Sequence, residues 1–147
     1  MLKSGHQSDA DLAVVNPQRL ALMPDPWCFP EYHELQRLLQ RADKFSPYFQ
    51  QEQIDSVTVG DCGLPLDLIK LGRDDASLPL LIFVGGVHGI ERLGAQVVLA
   101  FLQNILQRLA WDASLQNLLE HCRLYFLPLA NPAGLKNNSR CNAHGVD

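Results

Sequence analysis

Two short, uninterrupted apolar runs with a long stretch of helical periodicity between them constrain the fold of this chain more than any other feature. Residues 80–84, LLIFV, and 123–127, RLYFL, are rich in branched and aromatic side chains, as strands buried on both faces of a sheet require. Between them, Leu93, Val97, Val98, Phe101, Leu102, Ile105 and Leu109 recur at helical spacing, which predicts a helix from Glu91 through Arg108 with one apolar stripe. Strand, helix and strand in that order form a βαβ crossover, right-handed in nearly all cases, and imply an α/β fold with a mixed sheet and crossover helices. In such sheets functional groups collect beyond the carboxyl ends of the strands. Both polar, glycine-bearing segments, GGVHGIE at 85–91 and NPAGLKNNSRCNAHGVD at 131–147, begin there.

The flanking segments extend this unit. Leu35, Leu38, Leu39 and Ala42 predict an amphipathic helix over 31–45, which Pro47 ends. Residues 54–59 and 64–71 alternate apolar and polar positions around GDCG, the pattern of a hairpin. A short helix is expected over 115–119. Residues 1–30, with Pro17, Pro24, Pro26 and Pro30, are expected to form an irregular lead-in, leaving 31–147 as one folded unit. With only four strands available, the apolar runs are expected to leave a hydrophobic sheet edge exposed.

Composition narrows the function. Apolar residues make up 47% of the 147, enough for a real core. The 12 Lys and Arg are scattered against 16 Asp and Glu for a net charge of −4, so nucleic acid is a poor partner for this chain. Cys28, Cys62, Cys122 and Cys141 form no CxxC pair, which excludes a zinc knuckle and a thioredoxin-type motif and leaves reduced thiols as the expectation. The first residues lack the basic and apolar regions of a signal peptide, and no run of about eighteen apolar residues is present. A cytoplasmic protein that does not span a membrane is the expectation.

Chemistry concentrates at the junction after LLIFV. His88 and Glu91, three residues apart, can aim an imidazole and a carboxylate at one point, and both are zinc ligands in type and spacing. Gly85, Gly86 and Gly89 permit the tight turn this needs. HGIE is short, and Glu91 also reads as an acid favoured by a helix N-terminus. A phosphate cradle fits less well, because glycines 85, 86, 89 and 94 do not make GxGxxG and no GK[ST] follows.

The second segment adds Asn131, Pro132, Gly134, Arg140, Asn142, Gly145, Val146 and Asp147 in order. Strand, HxxE, helix, strand, NPxG, Arg and GVD together resemble the zinc carboxypeptidase family, carboxypeptidase A-like, in the superfamily shared with succinylglutamate desuccinylase and aspartoacylase. The resemblance covers 80–147. It implies a carboxypeptidase-like (phosphorylase/hydrolase-like) half domain, with 31–147 as the N-terminal part of a catalytic domain that breaks off after GVD. By the same resemblance His88 and Glu91 bind one zinc ion, Arg140 polarises the scissile carbonyl, and Asp147 hydrogen-bonds the metal-binding histidine from behind. Asn131, Pro132 and Gly134 are expected to be a structural turn. The family pattern continues past GVD with an Asn-Arg pair that grips the substrate carboxylate, a third ligand histidine and a catalytic glutamate. His121, which precedes the RLYFL strand, and His144, near the expected site but in a variable spacer of the motif, are the candidates for a third ligand within the chain, whereas His6 and His33 are expected to be solvated or packed.

Ala133, where many family members have an acid, and the glycine of HGIE leave the substrate open. The implied function is a metallocarboxypeptidase removing C-terminal residues from peptides. The alternatives are an acylase-type amidohydrolase acting on a small N-acyl amino acid, and an inactive fragment or binding module. The expected partner is a peptide or small amide substrate.

Overall fold

The computed structural model describes residues 29–41 and 48–147. Most of the predicted lead-in, and the end of the first predicted helix, lie outside the described residues. The elements in order are α1 (Pro30–Arg41), β1 (Phe49–Val59), β2 (Cys62–Leu71), β3 (Leu80–Val84), α2 (Arg92–Leu109), α3 (Ala113–Leu119), β4 (Arg123–Leu127) and α4 (Pro132–Asn137). No helix among the described residues is long and apolar enough to cross a membrane.

The four strands form one mixed sheet in the order β1-β2-β4-β3. β1 and β2 are an antiparallel hairpin with a register shift between Gln53 and Asp55. Both strands are longer than their alternation predicts: β1 begins at Phe49, and the turn shortens to Gly60, at φ 61°, and Asp61. β4 lies at the centre, antiparallel to β2 through Ile69↔Phe126 and parallel to β3 through Phe83↔Phe126. The crossover is therefore present, and α2 makes it.

Phe126 is fully buried where the layers meet. Its ring stacks on Phe83 at 5.0 Å, and Phe101 meets Phe83 edge-on at 5.1 Å. α2 turns Ala95, Leu99, Leu102, Ile105, Leu106 and Leu109 into the core, and α1 packs against it with Tyr32, Leu35 and Leu38.

Two expectations are corrected here. LLIFV is not buried on both faces: among the described residues β3 has one neighbour, and Leu81 and Ile82 are 56% and 57% exposed. Nor does α2 carry a single buried stripe. Leu93 and Val97 are 71% and 58% exposed, and Phe101 is partly so. The apolar residues wrap too far round the helix for one neighbour to cover, and periodicity alone cannot separate two faces that both read as apolar. The exposed edge anticipated from four strands is present at β3.

Candidate metal centre

The site forms where β3 and β4 end. The ladder continues beyond both strands through Gly85 N–H to Leu127 O, Ala130 N–H to Gly85 O and Asn131 N–H to Gly86 O, each at 2.9 Å. Gly85 and Gly86 are thereby held to the segment that follows β4. The chain then turns sharply, Gly86 at φ 65°, and closes a turn with Glu91 N–H on His88 O at 2.9 Å. At Gly89 the backbone touches α4: a Cβ there would lie 1.9 Å from Gly134 C and 2.0 Å from Gly134 O. Only glycine fits.

His88 and Glu91 thus sit on a turn that leads into α2 rather than on the helix itself. Glu91 is the N-cap residue, but its side chain makes no capping hydrogen bond and remains exposed. The reading of Glu91 as an acid that serves the helix end finds no cap bond to support it.

The second segment folds back over this turn. The sequence suggested a structural turn at Asn131, Pro132 and Gly134; the structure has α4 there, with Asn131 as N-cap accepting from Gly134 N–H at 2.8 Å and Pro132 in the first turn, where a missing N–H costs nothing. The Asn131 amide also donates to Val87 O at 3.1 Å and to Cys141 O at 3.3 Å. One buried side chain therefore ties the histidine loop, α4 and the terminal loop together. That fastening role is absent from the sequence reading, although Asn before Pro at a strand end is a recognisable cap signal.

Arg140 and Asp147 complete a four-residue cluster. Arg140 Nη1 donates to Glu91 Oε1 at 3.4 Å, Arg140 Nη2 lies 3.4 Å from His88 Nε2, and Arg140 Nε donates to the Asp147 carboxylate at 2.7 Å. Asp147 in turn lies 3.4 Å from His88 Nδ1. The Arg140 hydrogen bond holds the Asp147 carboxyl below the ordinary range, so it stays ionised beside the imidazole. His88 and Glu91 line an open groove of about 890 Å³ whose walls are apolar, Val84, Val87, Ile90 and Leu93 among them.

A cation already bridges the two predicted ligands, namely the Arg140 guanidinium. An imidazole nitrogen and a carboxylate oxygen converging on one positive centre is a donor set that suits zinc, and it supplies two of the three protein ligands a catalytic site uses. No group of three His, Cys, Asp or Glu side chains able to hold a metal occurs among the described residues. His121 stands at the wrong end of the sheet, ahead of β4, with its Nδ1 on Asn117 O at 2.8 Å. His144 is exposed; its backbone N–H caps onto Asn142 Oδ1, and it joins no ligand group. Cys122 and Cys141 are free thiols.

The zinc carboxypeptidase family model matches residues 50–147. The chain belongs to the zinc carboxypeptidase family. Carboxypeptidase SOL1 of Arabidopsis thaliana is 30% identical to this chain over 88 residues, 58% of the chain and 18% of that protein. Carboxypeptidase B of Astacus astacus is 23% identical over 104 residues, 70% of the chain and 33% of that protein. Among solved structures, a candidate carboxypeptidase A from Shewanella denitrificans superposes with a TM-score of 0.63 at 25% identity, over 82% of this chain and 31% of that one. The thrombin activatable fibrinolysis inhibitor shares the fold, with a TM-score of 0.58 at 18% identity over 80% of this chain and 32% of that one. The chain spans no more than about a third of the length of these relatives.

Proposed function

We propose that this chain carries the first two zinc ligands and the oxyanion arginine of a metallocarboxypeptidase that removes C-terminal residues from peptides. The observation that carries this reading is the convergence of His88 Nε2 and Glu91 Oε1 on Arg140, with Asp147 on the opposite imidazole nitrogen. Zinc, when held there, supplies a Lewis acid and lowers the pKa of water toward about 7.

The residues divide the remaining work. His88 and Glu91 are the metal donors. Asp147 fixes the imidazole tautomer and orientation from behind, the usual task of a carboxylate paired with a metal-binding histidine. Arg140, permanently charged and planar, donates to the carbonyl oxygen as negative charge develops on it; loss of such a preorganised donor lowers the rate about 10²-fold or more. Asn131 keeps the loops that carry these groups in contact.

The test is zinc stoichiometry and C-terminal peptide hydrolysis by the full-length protein. His88→Ala and Glu91→Ala are each expected to remove bound zinc, and Arg140→Ala to retain zinc while losing turnover. Unchanged zinc content and hydrolysis in both ligand variants would overturn the reading. Faster cleavage of an N-acylated acidic amino acid than of a peptide would move the chain to the acylase branch.

A further inference from the structure

α1 precedes the residues that match the family, 50–147, yet it delivers a buried carboxylate to the neighbour of Glu91. Glu31, in the first turn of α1, is 3% exposed. Arg92 Nε donates to Glu31 Oε1 at 3.1 Å and Arg92 Nη2 to Glu31 Oε2 at 2.5 Å, while Gln96 Nε2 donates to Oε1 at 2.9 Å. Arg92 Nη1 donates to Leu135 O at 3.0 Å, and the Phe29 ring centre lies 5.9 Å from the guanidinium carbon. One side chain thus fastens the first turn of α2 to α1 on one side and to α4 on the other.

Glu91 needs such a fastening. Its side chain caps nothing, and the backbone bonds around it are Glu91 N–H to His88 O at 2.9 Å and a long Gly94 N–H to Glu91 O at 3.3 Å. The backbone that carries the Glu91 side chain continues directly into Arg92, and the carboxylate at its end meets Arg140 Nη1 at 3.4 Å.

We propose that the Glu31–Arg92 fork is a positioning device for the metal centre, fixing the first turn of α2 so that Glu91 presents its carboxylate toward His88 and Arg140. The inference rests on the metal-binding reading above. A bidentate guanidinium–carboxylate pair defines an orientation as well as a distance, which a point charge does not. Stability is a poor explanation for the pair, because buried ion pairs are commonly replaced by apolar side chains without loss. Gln96 adds a second donor to Glu31 Oε1, and Leu135 O takes the remaining Nη1 of the fork.

The experiment compares Glu31→Gln, Arg92→Lys and the double variant Glu31→Met with Arg92→Met in the full chain. Zinc affinity is measured by competition with a chelating dye, amide hydrogen exchange at Glu91 and Gly94 by NMR, and global stability by thermal unfolding. All three variants are expected to bind zinc about tenfold more weakly, the lower end of what outer partners of a metal ligand contribute. Exchange at Glu91 and Gly94 is expected to accelerate at least tenfold, including in the double variant, whose apolar pair restores the unfolding midpoint. If the double variant recovers wild-type affinity and wild-type exchange together with its stability, the pair is merely structural and the proposal is overturned. If wild type and His88→Ala bind zinc equally poorly, the metal reading fails, and exchange at Glu91 still decides for or against the fork.

Discussion

Gly89→Ala probes the glycine, among those described, at which an added Cβ would meet its neighbours most closely. The added Cβ would stand 1.9 Å from Gly134 C, 2.0 Å from Gly134 O and 2.4 Å from Leu135 N, where ordinary contacts fall at 3.4–4 Å. All three obstacles are backbone, so no rotamer change relieves them; α4 or the 85–91 loop must retreat by about 1.5 Å. Retreat breaks the alignment of Asn131 N–H with Gly86 O and of the Asn131 amide with Val87 O. Overpacking of a filled site costs about 1–3 kcal/mol, and the lack of any flexible neighbour puts this case at about 3. At about 3 °C per kcal/mol for a chain of this size, the thermal midpoint should fall by about 10 °C. Gly63→Ala is the control, because a Cβ there meets nothing within 4 Å and its φ is not left-handed; its midpoint should stay within about 2 °C. Scanning calorimetry on both variants and wild type gives the comparison. A Gly89→Ala midpoint as close to wild type as that of Gly63→Ala would refute the claim that the histidine loop and α4 share a rigid backbone contact.

Asn131→Ala removes a helix cap and two bonds to carbonyls at once, and urea denaturation should register a loss of about 2 kcal/mol. Asp67 is 4% exposed with Oδ2 unpartnered, and burial raises its pKa against a smaller opposing effect of the Gln51 hydrogen bond. The folded state therefore holds this proton more tightly than the unfolded chain, and stability declines as pH rises from the unfolded value of about 3.9 through the raised folded value. Asp67→Asn should raise stability by about 1 kcal/mol near pH 7 and by little near pH 3, and equal gains at both in urea titrations would contradict this account. Ile82→Lys, at a position 57% exposed on β3, should leave the thermal midpoint within about 2 °C; a fall of more than about 5 °C in scanning calorimetry would contradict the exposure of this strand.

The elements that the sequence discloses are those whose signal is local. LLIFV and RLYFL are strands at their predicted limits, and α2 begins within one residue of its prediction, because a change from continuous apolar run to helical spacing marks each boundary. Which face each element buries is not local. Leu93 and Leu102 are equally apolar in the sequence, yet one is exposed and the other fully buried, since α2 has sheet and α1 on one side and the groove on the other. The same division runs through the site. His88, Glu91, Arg140 and Asp147 could be chosen from residue type and motif order, and they come together in the fold. Arg92 and Glu31 could not, because a lone arginine after Glu91 and a glutamate in a proline-led helix form no pattern until 61 positions of chain bring them within hydrogen-bond range.

That difference bears on how the centre is built. Residues 85–89 are held by three independent contacts: ladder bonds to residues beyond β4, a glycine contact too close for any side chain, and the Asn131 amide on Val87 O. Each holds the histidine side of the turn. The glutamate side has the Arg92 fork, anchored outside the family-matched stretch. On the proposed metal reading both members of the pair must be held, and the exposed Glu91 carboxylate itself meets Arg140 Nη1 at 3.4 Å. On the proposed metal reading, HGIE names two donors, whereas the contacts around them come from α1, from α4 and from the loop after β4.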